Sequence, residues 1–103
     1  MWNFRTWSSA GLLAILISTL QSSAAPSRAR LWNEEILAAI RIDLPHPPVH
    51  ARNLFHLSAA MYDAWAAYDP VAVGFLYHQK PPTENSIAAQ EPALSYAAYR
   101  LLR

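Results

Sequence analysis

Three side chains in this sequence have the types and spacing for chemistry: Arg52, His56 and Asp63. At helical spacing they fall along one face, so a guanidinium, an imidazole and a carboxylate can form a chain of hydrogen bonds. General acid–base work would need a cleft beside them, whereas the alanines around them (Ala59, Ala60, Ala66, Ala67) suit a helix–helix interface. The expectation is a structural polar network in which the three groups satisfy one another. Four histidines, His46, His50, His56 and His78, raise metal ligation. Their spacing argues against it: Pro47-Pro48 separates the first two, and six residues separate His50 from His56. Nothing resembles His-Glu-x-x-His, a Gly-x-Ser-x-Gly nucleophile turn or a glycine-rich phosphate loop. No catalytic, cofactor-binding or metal residue is assigned. The aromatic set Trp65, Tyr68, Tyr96 and Tyr99 reads as core rather than as a stacking platform for bases.

The elements that would position these residues are helices. Alanine, leucine and aromatics dominate, and the chain holds only two glycines and no cysteine, which favours an all-α fold without a disulfide framework. The first helix is expected over 32–44, capped by Asn33, with Glu34 and Glu35 in its first turn and Trp32 closing on Leu37. Ile36, Leu37, Ile40 and Leu44 form its apolar stripe, and Pro45-His46-Pro47-Pro48 ends it. A second helix is expected over 48–69, stopped by Asp69-Pro70. Leu54, Leu57, Met61, Trp65 and Tyr68 fill one arc of it, flanked by Phe55 and Tyr62, and its alanines suggest burial nearly all round. Residues 71–91 read as an ordered loop around Gly74 and Lys80-Pro81-Pro82. A third helix, 92–103, places Leu94, Ala97, Ala98 and Leu101 on one side and Tyr96 and Tyr99 on the other. It carries no Gly, Asn or Pro stop signal. The expected architecture is about three helices of an incomplete bundle.

The first 24 residues read as a cleavable export signal. Met1–Trp7 carries Arg5, the run Ala10–Leu20 is largely apolar, and Ser22 and Ala24 suit the small positions before a cut. That run is about 11 residues where a bilayer span needs roughly 20, so no stable membrane span is expected after cleavage. The organisation is then a signal over 1–24, a linker over 25–31 and a helical segment over 32–103, in a protein exported to the periplasm or medium. Lys and Arg number eight against seven Asp and Glu, and with Arg5 in the signal the remainder balances, which is no footprint for nucleic acid. About 79 residues make a marginal core.

Several runs carry a resemblance. Trp32-Asn33-Glu34 and Ala39-Ile40-Arg41 are followed by Pro48-Val49-His50-Ala51-Arg52-Asn53-Leu54-Phe55-His56. Then come Met61-Tyr62-Asp63-Ala64-Trp65-Ala66-Ala67-Tyr68-Asp69 and Ser95-Tyr96-Ala97-Ala98-Tyr99-Arg100-Leu101-Leu102. Together they resemble the N-terminal region of bacterial exported proteins akin to vanadium-dependent haloperoxidases, in the type-2 phosphatidic acid phosphatase superfamily. The resemblance implies an all-helical protein several times longer, with its vanadate or phosphate pocket in a later helical bundle. The pocket motifs are a Lys with Arg-Pro seven residues on, a Ser-Gly-His, and an Arg five residues before a His. None is present: Lys80 has Ile87-Ala88 where Arg-Pro would stand. The chain is therefore expected to be a truncated scaffold segment, inactive alone, with no cofactor of its own; vanadate belongs to the full-length family. Its expected partner is the missing C-terminal bundle, or a second copy by self-association. The alternative is a free-standing exported helical module that binds a partner protein. A small haem- or metal-binding bundle rests on the histidines alone.

Overall fold

A computed structural model describes residues 24–103, and these form three α-helices with no strand: α1 (Arg28–Ile42), α2 (Pro47–Ala66) and α3 (Ser86–Leu102). The expected export signal falls almost wholly outside the described residues.

α1 begins four residues before its expected start, so half of the expected linker is helical. Ser27 is the cap, its hydroxyl accepting the Arg30 N–H at 3.3 Å. Serine and asparagine cap about equally well, and Arg28-Ala29-Arg30-Leu31 are good helix formers, so the earlier cap gains a turn. Asn33 is consequently interior, Glu34 and Glu35 lie beyond the first turn, and Trp32 packs against the core instead of closing a staple. Asp43 ends the helix in extended conformation, its N–H donating to the Ala39 carbonyl at 3.2 Å and its carboxylate accepting the Leu44 N–H at 2.8 Å. Leu44 thus lies outside the helix and is exposed rather than part of the apolar stripe.

α2 opens on Pro47 and Pro48, whose missing N–H groups cost nothing in a first turn. The helix stops at Ala66, sooner than expected. Tyr68 and Asp69 donate to the Trp65 and Ala66 carbonyls, at 3.1 Å each, in tightened i to i−3 turns. Pro70 then forces Asp69 out of helical conformation. α3 starts at Ser86, six residues before the expected Pro92, because the Asn85 side chain caps it by accepting the Ala88 N–H at 3.0 Å.

The core is Ile36 of α1, Leu57 and Met61 of α2, and Leu94 and Ala98 of α3, with Trp32, Ile40, Leu54 and Trp65 packed against it. α3 packs chiefly on α2, and α1 lies against both. α1 and α3 run in the same direction: Arg28 meets Glu91 at one end, and Ala39 and Leu102 line one groove at the other. α2 is not buried all round. Ala51, Arg52, Phe55, His56, Ser58 and Tyr62 are exposed on it, whereas Ala66 and Ala67 are buried. Among the described residues no helix is long and apolar enough to cross a membrane.

Candidate functional site

Of the three residues singled out by spacing, only Asp63 is buried, at 8 % exposure; Arg52 and His56 are exposed on α2. Asp63 takes its hydrogen bonds elsewhere. Its carboxylate accepts three consecutive backbone N–H groups of the following loop: those of Phe75, of Leu76 at 2.9 Å and of Tyr77 at 3.0 Å. The expected Arg52–His56–Asp63 chain is therefore not the arrangement around Asp63. His56 lies beside the Phe55 ring, with centroids 5.9 Å apart, and the histidine whose charge acts on Asp63 is His78. Seven residues along a helix amount to about 10 Å of rise, too far for direct contact, while a loop that folds back on the same turn brings its donors within reach.

Burial pushes the Asp63 pKa up, but the N–H groups of Leu76, Phe75 and Tyr77, with His78 nearby, outweigh it and hold the carboxyl below its ordinary range. The geometry needs Gly74. That residue is buried, and a Cβ there would overlap the Tyr77 carbonyl oxygen and stand 3.2 Å from an Asp63 oxygen. The turn that wraps a carboxylate this closely has no space for a side chain.

A second anchor holds the start of the same loop. Asp69 accepts the Val71 N–H at 2.9 Å and the Ala72 N–H at 2.7 Å, and these donors, Ala72 first, together with Lys80 hold its carboxyl below the ordinary range. The Lys80 ammonium donates to the carbonyls of Ala66 at 2.5 Å, Asp69 at 2.7 Å and Ala72 at 2.5 Å. The cation thus ties the Ala66 carbonyl, at the end of α2, to two carbonyls of the turn that follows, where the helix dipole favours positive charge. Sequence reasoning missed both roles. The available signals were Gly74, eleven residues beyond Asp63, and the chain's single lysine, fourteen residues beyond Ala66.

The loop presents an apolar surface continuous with α2. Phe75 meets Phe55 edge-on, with centroids 5.9 Å apart and planes at 89°. The Tyr62 hydroxyl donates to the Val73 carbonyl at 2.9 Å. Phe55, Tyr62, Val73, Phe75 and Leu76 are all exposed, Val73 and Leu76 at 69 % and 76 %. Adjoining it at Tyr62, a cleft of about 460 Å³ lies between the start of α1, α2 and α3, lined by Met61, Tyr62, Trp65 and Leu94 with Asn33, Ser58 and the Arg28–Glu91 pair at 3.5 Å.

The other histidines have local work. His46 precedes α2, and His50 Nε2 lies 3.2 Å from both the His46 N–H and the Leu44 carbonyl, closing the α1–α2 turn in either tautomer. Among the described residues no three His, Asp or Glu side chains converge on one point. Arg28, Lys80, Arg100 and Arg103 are engaged locally, the last two lying over the Tyr96 and Tyr99 rings. What the arrangement can do is hold a rigid apolar surface in place. Comparison with family models, curated proteins and solved structures finds no match to this chain.

Proposed function

We propose that the chain is a helical scaffold segment of an exported protein of the vanadium-dependent haloperoxidase-like kind, whose α2–loop face packs against further helices and which performs no chemistry by itself. One observation carries the scaffold part: an exposed apolar surface, Phe55 to Leu76, is held in fixed register by a buried carboxylate on three backbone donors. Contiguous apolar surface of this kind on a small domain marks a contact face. The sequence runs quoted above support the family, and the signal-like first 24 residues support export. The expected partner is a helical bundle carrying the oxyanion pocket, and the vanadate or phosphate would sit there.

Two measurements test this. Genomic DNA beyond the Arg103 codon should encode, in frame, a Lys with Arg-Pro seven residues on, a Ser-Gly-His and an Arg five residues before a His. An intergenic gap there removes the haloperoxidase reading and leaves a free-standing interaction module. In the longer protein, Phe75→Asp should release the segment to protease at a temperature where the parent resists cleavage. Unchanged resistance would show that the α2–loop face is not a contact face.

A further inference from the structure

The Lys80 ammonium and the carbonyls around it match in number. A lysine nitrogen carries three N–H donors and no acceptor, and here it meets three backbone acceptors: the carbonyl oxygens of Ala66 at 2.5 Å, Asp69 at 2.7 Å and Ala72 at 2.5 Å. These come from the last residue of α2 and from the turn after it, so the backbone curls around a single point. The Asp69 carboxylate is held on the same turn by the Val71 and Ala72 N–H groups, and its charge and that of Lys80 act on each other. A helix C-terminus, inward carbonyls and a carboxylate all favour positive charge there. Lys80 reaches the point from eight residues beyond Ala72, and Pro81 after it confines its backbone to extended conformation. It is the only lysine in a chain with seven arginines. A guanidinium spreads five donors over a flat fork, whereas three oxygens around one point need three donors on one nitrogen.

We propose that these carbonyls form a cation site built from backbone, that the Lys80 ammonium is its tethered occupant, and that the site accepts a small free ammonium ion, NH4+ or methylammonium, once that side chain is withdrawn. The tether holds the lysine nitrogen at the oxygens at a local concentration far above that of a free ion, so the wild type takes none from solution. Removing the side chain leaves three oxygens turned on one another, each without its charge-assisted bond. Residues 67–80 then loosen, because Lys80 is what joins the end of this stretch to its beginning. A small ion with N–H groups restores the bonds. Tetramethylammonium has the same charge but no N–H, and its methyl groups keep that charge away from the oxygens. The site lies at the end of α2 and stands independently of what covers the α2–loop face.

The test uses the full chain and its Lys80→Ala and Lys80→Arg variants, with chymotryptic cleavage at Phe75 to Tyr77 and the melting midpoint as readouts. Both variants should be cut in the loop at least about tenfold faster than the wild type, since each loses more than one charge-assisted bond. Ammonium or methylammonium chloride, added up to about 1 M, should raise the Lys80→Ala midpoint and slow its cleavage along the logarithmic curve of a ligand bound by the folded form alone. Tetramethylammonium chloride at equal ionic strength should have no such effect, and the wild type should respond alike to all three salts. If Lys80→Ala is unfolded at low salt, the same comparison is read by circular dichroism as helix regained with each salt. Equal cleavage of wild type and Lys80→Ala would overturn the proposal. So would rescue by tetramethylammonium as well as by ammonium, full protection by Lys80→Arg, or no response of Lys80→Ala to ammonium at the highest concentration.

Discussion

Asp63 is the side chain on which the loop depends, and its energetics follow from its partners. Each N–H bound to a carboxylate contributes more than a neutral hydrogen bond, about 1.5 to 3 kcal/mol where water is excluded. Here Phe75, Leu76 and Tyr77 are themselves exposed, so water can replace part of what the carboxylate provides. Asp63→Ala is expected to cost about 1 to 3 kcal/mol in total, read as a lower midpoint in urea unfolding. The pH dependence has a definite sign. The folded carboxyl titrates below its unfolded value, so its stabilisation is present in full above about pH 4 and is lost as pH falls through the folded value. The difference in stability between wild type and Asp63→Asn should therefore be flat from about pH 5 to 8 and shrink below about pH 4. A difference that grows on acidification would contradict the assignment of these three donors to an ionised carboxylate. Asp63 was legible in the sequence as a residue out of place among alanines. Its partners were not, because backbone N–H groups belong to every residue and only the fold of the loop brings three of them together.

Helices as elements were legible and their ends were not. Apolar periodicity fixed the existence of α1, α2 and α3 and most of the core, including Ile36, Leu57, Met61, Leu94 and Ala98. The ends depend on competition among caps of similar strength. Ser27 prevails over Asn33 because more helix follows it, and Asn85 prevails over Pro92 for the same reason. That second outcome leaves Pro92 in the interior of α3, seven residues into the helix, where it has no N–H for the Ala88 carbonyl. Pro92 is exposed, so replacing it removes no packing. An interior proline costs about 3 kcal/mol relative to alanine, while the extra freedom of an unfolded chain without it offsets up to about 1 kcal/mol. Pro92→Ala is thus expected to stabilise the chain by about 1 to 2 kcal/mol. The check is the unfolding midpoint. A lower midpoint would mean that the helix begins at Pro92 and that the preceding turn is dispensable.

For the molecule as a whole, the arrangement of charge decides what it can bind. A tetrahedral oxyanion such as vanadate or phosphate needs several donors converging on one point: guanidinium or ammonium groups, backbone N–H groups and an in-line imidazole. Among the described residues the cations do not converge. Arg28 is drawn to Glu91, Lys80 to three carbonyls, and Arg100 and Arg103 to tyrosine rings, while Arg30, Arg41 and Arg52 are exposed on helices. The three convergent backbone donors at Phe75 to Tyr77 are already occupied by the Asp63 carboxylate. An anion arriving there would have to displace a tethered one whose local concentration is far higher than its own. The chain as it stands is therefore expected to show no saturable vanadate binding in the micromolar range by calorimetry. It should likewise oxidise bromide with hydrogen peroxide no faster than free vanadate does. Asp63→Gly supplies the internal control: with the carboxylate gone, the three donors are exposed to solvent and weak anion binding there should rise. Micromolar vanadate binding by the wild type, or turnover above the free-vanadate rate, would mean that a complete oxyanion site exists in this chain and that its role is catalytic rather than that of a scaffold.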